Sequence, residues 1–498
     1  MHSIAYCATT LALPIPKDRK EPHSVGRNIY QLKAYDELMK FIDSPFNDKD
    51  YKRALIGAAG TGKTFLVRAL LLNSTLSYSL IGLSAPTHKA CRVLGESIHI
   101  SGIKANTIQS DLGLRLNFDI DKFDPNNPPF DPKGKIKIGN YKLYIVDEAS
   151  MINSKLCIFL EKTCVSNKCK IIFIGDNSQL APVGEKYSSA FRNIKSYSLK
   201  QIVRQGDDNP VSYLLELLRY DINHKTYKFL NHIQRFKEQF NADYTKGYQV
   251  CDANTFNQTV YNNFNDEELT RNVDYAKVIS YTNLNVSSWN KFIRNSIIAD
   301  ADKSILTKND LIISYVTIVN EFNDCVIKNS EEYIINDIQN FTDSRYDKNG
   351  LKGFLVKFQA IHGGDITTPL FVIDHTDSYT VQRYVQINNS MIEAAKTARA
   401  NIRNEKWKSY FAFKEYCLLM VNIISPDGKI ITSRSLDYGF ALTSHKSQGS
   451  TFDTALVDVN DIVFDKYGQP YADAEEVNRR LYVACSRCKN KLYLKFGR

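Results

Sequence analysis

The chain has 498 residues, 43% hydrophobic and 24% charged, a globular composition long enough for two to four domains, which excludes a peptide hormone or a small module. No apolar run approaches the roughly 18 residues of a membrane span, so a soluble protein with no membrane partner is expected. Lys and Arg outnumber Asp and Glu by 64 to 54, and the resulting net charge of +10 favours a polyanionic partner, nucleic acid first.

In chain order, residues 1–24 read as an N-terminal extension. Met1 to Pro16 lacks a basic region and a clear cleavage site, and the ten cysteines are scattered. Free thiols in the cytoplasm are therefore expected. Short apolar runs at 53–56, 80–84, 141–146 and 170–175, each followed by turn residues and a helical pattern, give the alternation of a parallel α/β sheet. This first domain spans about 25–198. The Pro-, Asp- and Asn-rich stretch Asn117 to Gly139 reads as an insertion within it.

A second set of strands at 277–282, 454–459 and 491–496 makes another α/β domain, divided by an insertion over about 306–434. Within the insertion, 311–320, 332–338, 353–358 and 379–387 read as strands of a small β-barrel or sheet. Ser390 to Phe413, rich in helix formers and carrying a row of Lys and Arg, reads as one long basic helix. Cys485 and Cys488 have the spacing of a zinc knuckle, but no second pair lies near them in sequence to complete four ligands.

Gly57-Ala58-Ala59-Gly60-Thr61-Gly62-Lys63-Thr64 fits G-x-x-x-x-G-K-[ST] between a strand and a helix. The glycines permit a tight turn that aims backbone N–H groups at phosphate oxygens. Lys63 reaches the β and γ phosphates of a nucleotide, and Thr64 serves Mg²⁺. The apolar run Leu143 to Val146 delivers Asp147, suited to Mg²⁺, and Glu148, suited to polarising an attacking water. Together these specify a nucleotide hydrolase core.

A phosphate loop does not by itself choose among kinases, GTPases, loaders and motors. The remaining motifs resemble superfamily 1 helicases: Gly175 to Val183 as motif III, Thr443-Ser444-His445-Lys446-Ser447-Gln448-Gly449 as motif V, and Leu481-Tyr482-Val483-Ala484-Cys485-Ser486-Arg487 as motif VI. Asn28 to Gln31 match the adenine-reading Q motif, Ser84 to Lys89 motif Ia, Thr107 to Ser110 motif Ib, and Arg204-Gln205 motif IV, all in family order. The short separation of Lys89 from Asp147 favours type 1B, and no zinc-ligand cluster of the Upf1-like kind is present. The nearer likeness is to phage Dda-type and RecD-like DNA helicases.

The resemblance implies two RecA-like parallel-sheet domains of the P-loop NTPase class, 1A over 25–198 and 2A over 199–305 and 435–498. It also implies a small 1B pin at about 111–140 and an SH3-like β-rich 2B insertion at 306–434 carrying a helical tower near 390–413. It assigns catalysis to Lys63, Glu148, Gln179, Arg204 and Arg487, and nucleotide contact to Gln31, the loop Gly57 to Thr64, and Gly449. DNA contact falls to Pro86, Thr87, His88, Lys89, Thr107, Asn283, Thr443, His445 and Lys446. Phe118, Phe123 and Phe130 are the candidate pin tips, with Trp407 of the tower as their brace. The implied activity is ATP- and Mg²⁺-dependent 5′-to-3′ translocation on single-stranded DNA with unwinding of forked duplex, in replication, recombination or repair. A monomer is expected, with a replisome or single-strand-binding protein as a further partner. Action on RNA, remodelling of protein on DNA, and an ATP-switched clamp remain the alternatives.

Overall fold

The computed structural model describes residues 29–114, 135–182, 184–200, 209–299, 301–319, 325–425 and 427–497. They form two compact units, the first running to Phe229 and including Asp473–Ser486, the second comprising Leu230–Ala472 and Arg487 onward. None of the described helices is long and apolar enough to cross a membrane.

The first unit contains α1 (Ile29–Asp43), β1 (Lys52–Gly57), α2 (Lys63–Asn73), β2 (Ile81–Ala85), α3 (His88–Ile98), β3 (Ala105–Thr107), α4 (Ile108–Asp111), β4 (Leu143–Val146), α5 (Ser154–Ser166), β5 (Lys170–Gly175), β6 (Lys195–Leu199) and α6 (Val211–His224). The strands form one six-stranded sheet, β3-β2-β4-β5-β1-β6, with every pairing parallel. Leu143, Ile145, Ile172 and Ile174 pack with Leu38, Leu66, Leu70 and Leu94 on one face. Tyr144, Val146, Ile171 and Phe173 pack with Leu156 and Leu160 on the other. Both faces are buried, which is why these strands read as unbroken apolar runs rather than as alternation.

Two helices beyond the residue-198 limit read from sequence pack with this unit. Asn478 Nδ2, on the helix Ala474–Cys485, donates to the Thr226 carbonyl just after α6 at 2.9 Å.

The second unit has its own six-stranded sheet, ordered 441–443, 276–280, 452–458, 488–495, 247–251 and 238–240; only the last pairing is antiparallel. Phe256, Val260, Trp289 and Ile293 of two helices close over Val278 and Leu456. Between its strands 276–280 and 441–443 lies a five-stranded antiparallel sheet, ordered 370–373, 351–360, 332–343, 311–314 and 436–438, matching the expected β-rich insertion.

Two expectations inside that insertion are corrected. Residues 379–387, read as a strand, lie in the helix Ser378–Thr397. Asp377 caps it, accepting from the Thr380 amide at 2.9 Å, and Thr380, Tyr384 and Asn388 recur every fourth residue on its fully buried face. The helical period therefore outweighs the β propensity of Val, Tyr and Ile. The single helix expected over 390–413 is instead the end of this helix and a second one, Ala400–Tyr416, separated by extended backbone at Ala398 and Arg399. Of the 1B pin expected at about 111–140, residues 115–134, with Phe118, Phe123 and Phe130, lie outside the described residues.

Candidate nucleotide and nucleic-acid site

Because every strand of the first sheet is parallel, the loops leaving their carboxyl ends share one edge. β1 delivers Gly57 to Thr64, β4 delivers Asp147 and Glu148, β5 delivers Asp176 to Gln179, β2 delivers Pro86 to Lys89, and β3 ends at Thr107. Ligands of open α/β sheets bind at such carboxyl ends.

The phosphate loop is fixed from within. Gly60 and Gly62 adopt left-handed φ of +80° and +82°, open to glycine at no steric cost. A Cβ on Gly57 would come 2.5 Å from Thr61 Oγ1, and one on Gly62 would come 2.5 Å from Gln31 Nε2. Thr61 Oγ1 donates to the Ala58 carbonyl at 2.8 Å. Gln31, 1% exposed, donates its amide to the Thr61 carbonyl at 3.0 Å, so here it braces the loop rather than presenting that donor to a base. Lys63 Nζ donates to the carbonyls of Gly57 at 2.7 Å and Ala58 at 3.0 Å. These acceptors are neutral, and phosphate oxygens compete well for the same cation. Ala59 and Thr64 are half-buried beside it.

At the end of β4, Asp147 Oδ1 accepts from the Glu148 amide at 2.9 Å. Burial pushes the Asp147 carboxyl up, opposed by that amide and by the charge of Lys63. Glu148 itself has φ +50°, the left-handed region that costs a non-glycine residue free energy and that clusters at functional sites.

The loop after β5 is tied to the helix Ala474–Cys485. Asp176 accepts from the Ser178 amide at 2.9 Å and from the Tyr482 hydroxyl at 2.6 Å, and Arg479 Nη1 donates to the Gln179 carbonyl at 2.9 Å. Gln179 is buried. Sequence reading missed Arg479 and Tyr482 in these roles, because an arginine and a tyrosine on a helix carry no local sign of a partner about 300 residues away.

Farther along the edge, Thr87 caps α3, accepting from the Ala90 amide at 3.2 Å, and Thr107 caps α4, accepting from the Ser110 amide at 3.3 Å. His88 is half-buried and Lys89 buried, so of motif Ia the loop at Pro86 to His88 is the more accessible part.

In the second unit the motif residues occupy two edges. Thr443 pairs with Ser280 at the carboxyl ends of their strands, and the Ser444 amide donates to the Ser280 carbonyl at 2.8 Å. Asn283, Thr443, His445 and Lys446 therefore come together. Asp461, 8% exposed, holds the adjoining turn: it accepts from the Tyr281 amide at 2.7 Å, the Thr282 amide at 2.8 Å and the Thr282 hydroxyl at 2.8 Å. Its isolation in sequence from Thr282 concealed that role.

Arg487 lies at the opposite edge, immediately before strand 488–495, and donates to the Ser450 carbonyl at 3.0 Å. Thr443 is level with Ser280 but Thr454 is level with Ala276, so the motif V segment, turning at Gly449 with φ +73°, runs from one edge to the other.

Arg204 lies outside the described residues. Trp407 is half-buried on the second helix of the hairpin, edge-on to Tyr410 with ring centres 5.6 Å apart. Cys485 and Cys488 are buried and form no disulfide.

A family model described as an AAA domain matches residues 40–239. The chain is 24% identical to an uncharacterised protein of Acanthamoeba polyphaga mimivirus, over 93% of this chain and 99% of that one. It is 34% identical to the ATP-dependent DNA helicase dda of Enterobacteria phage T4 across 32% of this chain, a match that spans only 34% of the phage protein. In structure it is similar to the Pif1 helicase of Candida albicans, with a TM-score of 0.52, 17% identity and 95% of each chain covered, a likeness of fold. The phosphate loop with motifs Ia to III on one sheet edge, and motif V with Arg487 on a second sheet, accompany this chain's likeness to the AAA-domain model and to the phage DNA helicase.

Proposed function

We propose that the protein is an ATP-driven, Mg²⁺-dependent DNA helicase that moves 5′ to 3′ along a single strand and opens forked duplex. The observation that carries this reading is the gathering of the phosphate loop, Asp147-Glu148 and Gln179 on the same sheet edge as the Ia and Ib loops. Hydrolysis and strand contact thereby share one rigid framework. The similarity to the phage DNA helicase supports the substrate class.

Lys63 and the loop amides hold the phosphates, Glu148 orients the attacking water, and Gln179 senses the terminal phosphate. Thr64 and Asp147 would hold Mg²⁺, and the half-buried carboxylate at the end of β4 fits a divalent cation that offsets its desolvation. When bound, the ion supplies neutralising charge to the phosphates. Arg204 and Arg487 supply cations for charge that develops in the transition state. Single-strand contact rests on Pro86, Thr87, His88, Lys89, Thr107, Asn283, Thr443, His445 and Lys446, acting on the phosphate backbone with little base preference. The pin at Phe118, Phe123 or Phe130, braced by Trp407, separates strands.

The test is unwinding of forked duplexes bearing either a 5′ or a 3′ tail, in DNA and RNA versions, with ATP and Mg²⁺. Opening only of the 5′-tailed DNA fork is expected. Selective opening of the RNA fork would move the substrate to RNA, and ATP hydrolysis without opening of any fork would leave a translocase or a clamp.

A further inference from the structure

Two cations of the second unit share one tyrosine ring. Arg434 Cζ lies 4.7 Å and Lys446 Nζ 4.3 Å from the centre of Tyr315. The arrangement follows from sheet register: Tyr315 and Arg434 leave the paired strands 311–314 and 436–438 at the same end, with Ser314 opposite Leu436. Lys446 arrives from motif V. Arg434 donates to the Tyr315 hydroxyl at 3.0 Å and to Asn283 Oδ1 at 3.3 Å, and pairs with Asp437. Lys446 donates to Ser330 Oγ at 3.1 Å.

The charges around this ring do not balance. Among the described residues, the carboxylate paired with Arg434 is Asp437, while the partners of Lys446 are a hydroxyl and a ring, both neutral. Burial and the nearby guanidinium bring Lys446 down to about 8. A cluster serving stability alone would place a second carboxylate here, because two cations packed together without one repel. The excess charge also has a way out to solvent: the Arg434–Asn283 contact is exposed, and Asn283 begins a helix at the same carboxyl edge as Thr443 and His445.

We propose that Arg434 and Lys446, spaced by Tyr315, form a subsite for one backbone phosphate of single-stranded nucleic acid, in which a phosphate oxygen replaces Asn283 as an acceptor for Arg434. The β-rich insertion, through Arg434 and Tyr315, thus holds the strand jointly with motif V. This deepens the proposed function and rests on it.

The test is the salt dependence of binding to labelled oligo-dT, without nucleotide, for the full chain and for R434Q, K446Q and the double variant, with thermal unfolding of each. Each phosphate contact on a single strand contributes about 0.7 to the slope of log affinity against log salt. Because the two cations share one phosphate, each single variant should lower the slope by up to about 0.7 and the double by no more than that amount. A loss near 1.4 in the double would assign the cations to separate phosphates and overturn the shared subsite. An unchanged slope and affinity in R434Q would remove the insertion from the strand path. Should R434Q fail to fold, R434K takes its place: it keeps the charge but loses the planar fork, and must weaken binding several-fold while preserving the slope. Unaltered affinity in R434K would likewise refute the subsite. If the unaltered protein does not bind oligo-dT, the proposed function itself fails.

Discussion

The two parallel sheets use their edges differently. In the first unit the phosphate loop, Asp147-Glu148, Gln179 and the Ia and Ib loops all leave carboxyl ends of the sheet and form one rim. In the second unit Thr443 to Lys446 occupy the carboxyl edge, whereas Arg487 and Ser450 occupy the amino edge. Two functions on one rim occupy neighbouring loops of one framework, so only a group whose contacts stay inside one loop, as those of Lys63 do, separates them. On opposite edges they are joined only through the motif V segment, and single substitutions should pull them apart.

The largest expected effect is on the shared rim. Lys63→Ala should take ATP turnover to background, because the cation on the phosphates is lost. Single-strand binding should survive, since Lys63 makes its hydrogen bonds inside the loop. Wild-type hydrolysis in this variant would dismantle the nucleotide site. Arg487→Ala probes the amino edge and should lower kcat by about 10³-fold with little change in oligo-dT affinity. Turnover and single-strand affinity falling together would show that the two edges are not separable.

A third substitution concerns what ties the inserted sheet to the parallel one. Lys277 Nζ lies 2.5 Å from Glu332, and both are essentially fully buried; Lys277 also donates to the Gly439 carbonyl at 2.7 Å. Lys277→Met strands a buried carboxylate and should cost about 3–5 kcal/mol of stability, whereas Lys277→Met with Glu332→Leu should recover most of that loss. The open pair Lys352–Asp377, whose lysine is 63% exposed, should be worth less than about 1 kcal/mol. Chemical denaturation of these two variants and of Lys352→Met checks the ordering. A single variant no more costly than the open pair would deny the buried pair its structural role.

The same contrast explains what the sequence disclosed. Strands 143–146 and 170–175 are legible because burial on both faces leaves an uninterrupted apolar run, and the phosphate loop because its chemistry demands consecutive residues. In the insertion one face of an element is solvated and the signals are shorter. Tyr379 to Ile387 has strand-forming side chains, yet Asp377 and the four-residue spacing of Thr380, Tyr384 and Asn388 make it a helix. The break at Ala398 carries neither Gly nor Pro. Asp461, Tyr482 and Arg434 were not legible as site residues, because each meets its partners across long separations in the chain.

The smallest effect sharpens the carboxyl edge by pH. The groups facing Lys446 are Arg434, Tyr315 and Ser330, with Asp437 behind Arg434, and the lysine is held at about 8. Its charged form attracts phosphate, and a bound phosphate raises its proton affinity in turn. Affinity for oligo-dT is therefore at its maximum below the value of the free protein and declines as pH rises through it, with a limiting slope of about one decade per pH unit for a single linked proton. Between about pH 7 and 9 the fall should be several-fold in the wild type. Lys446→Arg keeps its proton throughout this range, so its profile should be flat. Asp437, raised by burial to about 6, has already titrated below this window and leaves the sign unchanged. Parallel profiles for the two proteins would assign the dependence to another group and exclude Lys446 from contact with the strand.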